Sequence, residues 1–173
     1  PEILMRRLSA CKNHISREAA AQLQAAGERE RGSILSTAIQ HTDWLASSAM
    51  RDTLAASDFD LSELKARATT VYLVLPPHYL EIHKRFLRLF VNLTLRAASD
   101  GGRSRVPIWM CLDEFYSLGR MDSVLKAVAN SRSYNVRLHL ILQNRSQLEE
   151  LYPGNWESFV ANAGTTQVFG LND

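Results

Sequence analysis

The feature that most constrains the fold of this chain is the alternation of apolar runs and helical patterns after residue 58. Runs of apolar and β-branched residues are typical of buried strands, and four lie at 69–75, 107–112, 136–142 and 166–170. Helical patterns cover 79–98, 122–131, 146–151 and 156–162. Because parallel strands need crossover connections, which are usually helices, the alternation predicts a parallel α/β sheet covered by helices.

The part of the chain before this alternation has a different composition. Residues 1–57 are rich in Ala, Ser, Gln, Glu and Arg and contain no internal proline. Ser16 is predicted to cap a helix that Gly27 ends, and apolar spacing near 3.6 over 33–54 predicts one or two more helices. We therefore predict an all-α region over 1–57 and an α/β region over 58–173.

Charge and hydropathy limit the kinds of protein that this chain can be. Lys plus Arg is 20 and Asp plus Glu is 18, so the net charge of +2 predicts no nucleic-acid binding from bulk charge alone. No apolar run approaches the roughly 18–20 residues that cross a bilayer. Cys11 and Cys111 lack metal-site spacing, and Cys111 lies in an apolar run, which predicts a buried free thiol. The chain begins with Pro1 rather than Met, and we interpret it as a piece of a longer protein.

The strongest chemical signal lies where the second apolar run ends, because Asp113 and Glu114 follow it directly. Two adjacent carboxylates beside a buried strand are costly unless a cation or hydrogen-bond donors meet them. At the carboxyl end of a strand this is the Walker B arrangement. There the first carboxylate helps to hold Mg²⁺ and the second polarises the attacking water. The alternative is an exposed acidic pair that opens the next loop.

A second polar signal follows the third run, where Gln143 comes directly after an apolar stretch. An amide there fits a sensor that touches water or the γ-phosphate, although it also fits a strand that simply ends at the surface. If the two strands are neighbours, Asp113, Glu114 and Gln143 lie along one edge of the sheet, where ligands bind in such folds. A phosphate-binding P-loop needs a Gly-Lys pair, and no lysine of this chain follows a glycine. Either the phosphate cradle lies upstream in a longer protein, or the interpretation of this chain as part of an NTPase is wrong.

Several motifs in order resemble those of the type IV secretion coupling proteins (the VirD4/TraG group). They are LDEFYSLGR at 112–120, ILQNRSQL at 141–148, YPGNWE at 152–157, ANAG at 161–164 and FGLND at 169–173, with a weaker upstream match over 59–77. The resemblance covers roughly residues 57–173 well and extends weakly over the remainder.

The resemblance implies a fold and a function. Family members are ring-forming ATPases, expected to be hexamers, at the cytoplasmic face of the bacterial inner membrane, which they reach through a segment outside this chain. An all-α domain that recruits cargo is inserted between the Walker A and Walker B parts of a RecA-like domain. This chain would hold part of that all-α domain and the later half of a RecA-like parallel-sheet P-loop NTPase domain.

The resemblance also implies ligands and partners. The cofactors are ATP and Mg²⁺. The cargo is relaxase-bound single-stranded DNA or a secreted effector protein, and the other partners are components of the secretion channel. Without a P-loop, this chain alone is expected to be inactive. The alternative is a non-catalytic adaptor whose helical region binds effector or relaxosome signals.

The resemblance assigns roles to five side chains. Asp113 matches the Mg²⁺ carboxylate, Glu114 the catalytic carboxylate and Gln143 the polar sensor that contacts nucleotide. Arg132 is the closest positional match for an arginine finger, which neutralises charge on the γ-phosphate of a neighbouring subunit. Arg120 is a second candidate and is expected near the nucleotide, and the alternative for each arginine is a solvated surface charge.

The predicted helix over 79–98 carries a basic stripe of its own. Arg88 lies four residues after Lys84 and three residues after Arg85, so these side chains share a face. The pattern predicts a solvated basic side, with a contact to phosphate or to an acidic partner as the alternative.

Overall fold

The computed structural model describes residues 2–100 and 106–170, apart from the side chains of residues 131, 132 and 134. The chain forms two compact units, Pro1–Arg51 and Asp52–Asp173. This division falls six residues before the predicted boundary at 57, and the cargo-recruiting and ATPase roles assigned to the two regions stay predictions.

The first unit is helical, as its composition indicates. Its helices are α1 (Glu2–Ser9), α2 (His14–Ala25), α3 (Glu28–Thr42) and α4 (Ser48–Leu54), with a 3₁₀ turn at Asp43–Ala46 between the last two. The N-cap of α2 is Asn13 rather than the predicted Ser16. The side chain of Asn13 accepts a hydrogen bond from the Ile15 amide at 2.9 Å, which satisfies a helix-end donor two residues earlier than expected.

Three arginines of this unit bind carbonyl groups that lie at or shortly after the ends of the preceding helical segments. Arg17 donates to the carbonyls of residues 11 and 12, and Arg51 donates to those of residues 45 and 46. Arg31 donates to the carbonyls of Leu23 and Ala26 at the end of α2, each at 2.9 Å. Since the last carbonyls of a helix lack intrahelical partners, these guanidinium groups stabilise the connections between helices.

The second unit contains the sheet. Its longer elements are α5 (Pro77–Ser99), β1 (Ile108–Leu112), α6 (Asp122–Tyr134), β2 (Val136–Leu140), α7 (Arg145–Leu151) and α8 (Glu157–Ala161). Two 3₁₀ turns lie at Leu61–Lys65 and Phe115–Leu118. β1 and β2 pair in parallel, with Ile108 opposite Val136 and Leu112 opposite Leu140. The β1–α6–β2 segment is therefore the parallel βαβ unit that the alternation predicts.

Two of the four predicted strands do not form. Residues 69–75 and 166–170 have no regular secondary structure, and Val74 and Phe169 are 83% and 86% exposed. A strand needs a hydrogen-bonded neighbour, and β1 and β2 pair with each other. Within the described ranges no third strand lies beside this pair. The prediction of a strand in each of these two segments is therefore wrong for this structure.

The sheet buries one face and exposes residues of the other. A cluster of nine buried side chains packs around its inner face: Val91, Leu112, Phe115, Leu118, Met121, Val124, Leu148, Tyr152 and Phe159. On the opposite face Trp109 is 68% exposed and lies 5.9 Å from the ring of His139. Cys111 is also exposed, so the prediction of a buried thiol is wrong, because side chains alternate between the two faces along a strand.

α5 is the longest helix that the structure describes. It packs against α6 and against the 3₁₀ turn at Phe115–Leu118, which follows β1. It begins with Pro77 at its first turn, where a missing amide hydrogen costs nothing. Its buried residues, His83, Val91, Thr94 and Ala98, lie on one face. Asn92 accepts a hydrogen bond from Ser123 of α6 at 2.5 Å. Neither α5 nor any other helix in the described parts of the chain has the length and apolar character of a membrane span.

Candidate functional site

The two carboxylates lie where the regular pattern of hydrogen bonds between the two strands is interrupted. The amide of Ile141 donates to the carbonyl of Leu112 at 3.1 Å, and the amide of Phe115 donates to the carbonyl of Ile141 at 3.1 Å. Asp113 and Glu114 lie between these two cross-strand bonds, and both are exposed. The first residues after β1 therefore present their carboxylates to solvent at the carboxyl end of the sheet.

The backbone of Glu114 is held in an unusual conformation. Its φ of 50° and ψ of 45° lie in the left-handed region, which residues other than glycine seldom adopt. The carbonyl of Glu114 accepts from both the amide and the hydroxyl of Ser117, at 2.9 and 2.8 Å. Asp113 accepts from the Glu114 amide at 3.0 Å. Such strain persists only where surrounding contacts enforce it, and it clusters at functional sites.

The structure brings Glu114 and Gln143 together. The side-chain nitrogen of Gln143 lies 3.4 Å from both carboxylate oxygens of Glu114. Gln143 follows β2 as Glu114 follows β1, and these strands are parallel neighbours. The sequence-based expectation that both lie on one sheet edge therefore agrees with the geometry.

Gln147 is a member of this group that the sequence analysis did not identify. Its side-chain oxygen accepts from the Gln143 amide at 3.0 Å. Asn144 is the N-cap of α7, and its side chain accepts from the Gln147 amide at 3.0 Å. The Asn-x-x-Gln spacing is that of a capping box, in which the side chain at the third helical position reaches back to the backbone before the helix. This spacing is the sequence signal that could have identified Gln147.

The donor set suits Mg²⁺. Asp113 and Glu114 supply carboxylate oxygens, and Gln143 adds an amide. Mg²⁺ in nucleotide enzymes is held by one or two carboxylates together with substrate phosphates and water. No group of three or more His, Cys, Asp or Glu residues suited to a metal occurs in the part of the chain that the structure describes.

The two arginine candidates are placed differently. The Nε of Arg120 lies 3.0 Å from a carboxylate oxygen of Asp122, and its guanidinium lies 5.6 Å from the centre of the Tyr152 ring. These contacts turn Arg120 toward the start of α6 rather than toward Glu114. Arg132 lies in α6, and its side chain is outside the described part of the structure. The finger and nucleotide-contact roles stay predictions for both.

Arg88 differs from its predicted role as a solvated basic residue. It is half-buried, and its Nη1 donates to the carbonyl of Leu118 at 2.6 Å and to that of Arg120 at 2.9 Å. The reason is that α5 passes beside the segment after Glu114, so Arg88 meets backbone acceptors instead of water.

Tyr152 anchors the same segment from another side. Its hydroxyl accepts from the amide of Met121 at 3.0 Å and donates to the carbonyl of Met121 at 3.1 Å. The ring is fully buried and stacks on Phe115 with a centroid separation of 6.2 Å. Burial raises the pKa of Tyr152, because ionisation would place a charge in the core.

Residues 3–173 match the protein family described as "Type IV secretory system Conjugative DNA transfer". The chain belongs to this family. Since the match covers nearly the whole chain, it includes both compact units, and the family resemblance predicted from the motifs is confirmed.

Curated relatives of this family are considerably longer than the chain. The conjugal transfer protein TraG of Escherichia coli is 27% identical over an alignment of 173 positions, which covers 92% of this chain and 27% of TraG. Protein VirD4 of Agrobacterium fabrum is 32% identical over an alignment of 117 positions, which covers 65% of this chain and 17% of VirD4. The chain thus spans about a quarter of TraG and about a sixth of VirD4.

Solved structures confirm the fold class. The plasmid coupling protein TrwB, solved with the non-hydrolysable GTP analogue GDPNP, has a TM-score of 0.65 at 16% identity. An unbound form of TrwB lacking its N-terminus gives 0.66. Each alignment covers 91% of this chain and 40% of the TrwB chain. The chain therefore has the fold of part of a RecA-like coupling protein, as the motifs indicate.

Proposed function

We propose that this chain carries the hydrolysis side of a type IV secretion coupling ATPase. The observation that supports the proposal is the adjacency of Glu114 and Gln143, whose side chains lie 3.4 Å apart at the carboxyl ends of two parallel strands. An exposed carboxylate with an amide beside it can orient and polarise one water molecule, which is what hydrolysis of a phosphoanhydride requires.

Each side chain has a distinct task in this proposal. Asp113 would hold Mg²⁺, and Glu114 accepts a hydrogen bond from the attacking water and polarises it. Gln143 donates to Glu114 or to the water and so fixes the direction of attack. Mg²⁺, when bound, neutralises charge on the phosphate oxygens. The phosphate cradle comes from elsewhere in the longer protein, so the 173-residue chain alone is expected to show no substantial turnover.

The longer protein would act as a ring, expected to be a hexamer, at the cytoplasmic face of the inner membrane. Support comes from the relatives, whose names describe conjugal transfer and type IV secretion coupling. Its cargo would be relaxase-bound single-stranded DNA or a secreted effector, delivered to channel components. The first unit would belong to the region that recruits cargo, because helical segments precede the Walker B strand in this chain.

The test is ATP turnover by the full-length protein carrying Glu114→Gln. We expect turnover to fall by about 10²-fold or more, in the range measured for loss of a general base, while MgATP still binds. Glu157→Gln serves as the matched control, since Glu157 is exposed at the start of α8 and has no described contact with Glu114 or Gln143. Turnover by Glu114→Gln within about twofold of wild type would contradict the proposal.

A further inference from the structure

We infer that Arg88 is a positioning residue that holds Glu114 in its working place through the backbone of Leu118 and Arg120. This inference deepens the proposed function and rests on it. Arg88 touches neither Glu114 nor Gln143 in any described contact. Its effect on the position of Glu114 therefore passes through the backbone of residues 115–120.

The first step is the anchor itself. One nitrogen of Arg88 donates to two carbonyls, those of Leu118 and Arg120, which flank Gly119. Gly119 has φ 70° and ψ −176°, a combination that is essentially restricted to glycine. The backbone thus turns at a residue that permits it, and a cation from another helix binds on both sides of the turn.

The second step is the connection from the anchor to Glu114. The Gly119 amide donates to the carbonyl of Tyr116 at 2.9 Å, and the Ser117 amide donates to that of Glu114 at 2.9 Å. Phe115 is completely buried and Leu118 nearly so. One hydrogen-bonded 3₁₀ turn with buried side chains therefore separates the anchored carbonyls from the carboxylate, which leaves little freedom between them.

The third step is the need for such an anchor. Glu114 has a left-handed backbone, which its surroundings must enforce. Hydrogen bonds from a cation are stronger than those between neutral groups, and Arg88 is half-buried, which limits competition from water. Because displacement of a reacting group by about 1 Å can lower a rate by up to about 10²-fold, the anchor bears directly on turnover.

The structural test is hydrogen exchange measured by mass spectrometry on the full-length protein. In Arg88→Ala we expect peptides that span 114–121 to exchange about fivefold faster or more than in wild type, because their local unfolding becomes easier. Arg96→Ala is the matched control, since Arg96 lies on the same helix and its side chain is 79% exposed. Equal exchange of this segment in Arg88→Ala and wild type would overturn the inference.

The functional test separates positioning from general destabilisation. Arg88→Ala is expected to lower kcat about tenfold with KM for ATP within about twofold of wild type. In the Glu114→Gln background the same change should lower kcat by less than about twofold, because the group that it positions is already disabled. An equal loss in both backgrounds would overturn the inference. Arg88→Lys should recover part of the loss, since lysine keeps the charge but not the fixed donor geometry.

The two tests also distinguish the inference from the function on which it rests. A wild-type protein without ATP turnover would contradict the proposed function, and the exchange of residues 114–121 would still decide whether Arg88 holds the segment.

Discussion

At the scale of single residues, the placement of Glu114 depends on contacts that lie far away in the sequence. Asp113, Glu114 and Gln143 were predictable, because each is a polar residue directly after an apolar run. Arg88 and Tyr152 were not, since they form hydrogen bonds with the backbone of the segment after Glu114 from 30 and 31 residues away in the sequence. Sequence patterns report faces and ends of elements, but they do not report which backbone carbonyl a distant side chain reaches.

Tyr152→Phe tests the anchor at Met121. Loss of the hydroxyl leaves a buried amide and a buried carbonyl without their partner, which should destabilise the fold by about 1–3 kcal/mol in urea denaturation. Tyr116→Phe is the control, because Tyr116 is partly exposed and its hydroxyl donates to Glu150 near the surface. We expect that change to cost less than about 1 kcal/mol. Equal losses of stability in the two variants would contradict the claim that the hydrogen bonds to Met121 stabilise the fold more than a surface hydrogen bond does.

Tyr152 also predicts a dependence of stability on alkaline pH. Burial raises the pKa of Tyr152, so the folded protein holds this proton more tightly than the unfolded chain does. Its contribution to stability is complete below the ordinary tyrosine pKa of about 10 and is lost as pH rises through the higher pKa of the folded protein. The stability difference between wild type and Tyr152→Phe should therefore shrink above about pH 10. A difference that stays constant with pH would contradict this account.

At the scale of elements, helices were predicted better than strands. The four helical patterns in the second half of the chain were predictable from sequence periodicity alone, and α5 through α8 begin and end close to the expected residues. The runs at 69–75 and 166–170 have strand composition but no described neighbour to pair with. Strand formation depends on a partner, and a local apolar run does not say whether the partner is present.

α3 offers a prediction that depends on helix propensity alone. Gly32 lies inside this 15-residue helix, and a Cβ built there meets no atom within 4 Å. Gly32→Ala should therefore stabilise the protein by about 0.5–1 kcal/mol, because glycine pays more backbone entropy in a helix. The control is Gly27→Ala at the N-cap of the same helix, where alanine is disfavoured. Stabilisation at both positions, or at neither, in thermal denaturation would refute the argument.

At the scale of the whole molecule, the 173-residue chain exposes large apolar side chains in the two segments that form no strand. Tyr72 and Val74 are 82% and 83% exposed, and Val168 and Phe169 are 64% and 86% exposed. Extended apolar segments without strand partners favour association between molecules. These side chains are exposed because their segments do not pair with the sheet, so the two-stranded sheet and the expected association have the same cause.

The 173-residue chain is therefore expected to self-associate. Its sedimentation coefficient should rise with protein concentration, and the double change Tyr72→Ser and Val74→Thr should reduce that rise. Ile39→Thr is the control, since Ile39 is 67% exposed on α3 and lies outside the two segments. A sedimentation coefficient independent of concentration would contradict this expectation.

The central claim is that Glu114 and Gln143 form one hydrolytic site. The most direct measurement is single-turnover ATP hydrolysis by the full-length protein in a double-mutant cycle of Glu114→Gln and Gln143→Ala. If both side chains act on one water, each single change should lower the rate by about tenfold or more, and the double variant should be little worse than Glu114→Gln alone. The account would be contradicted if the fold-reductions of the two single variants multiplied in the double variant, or if Gln143→Ala were as fast as wild type.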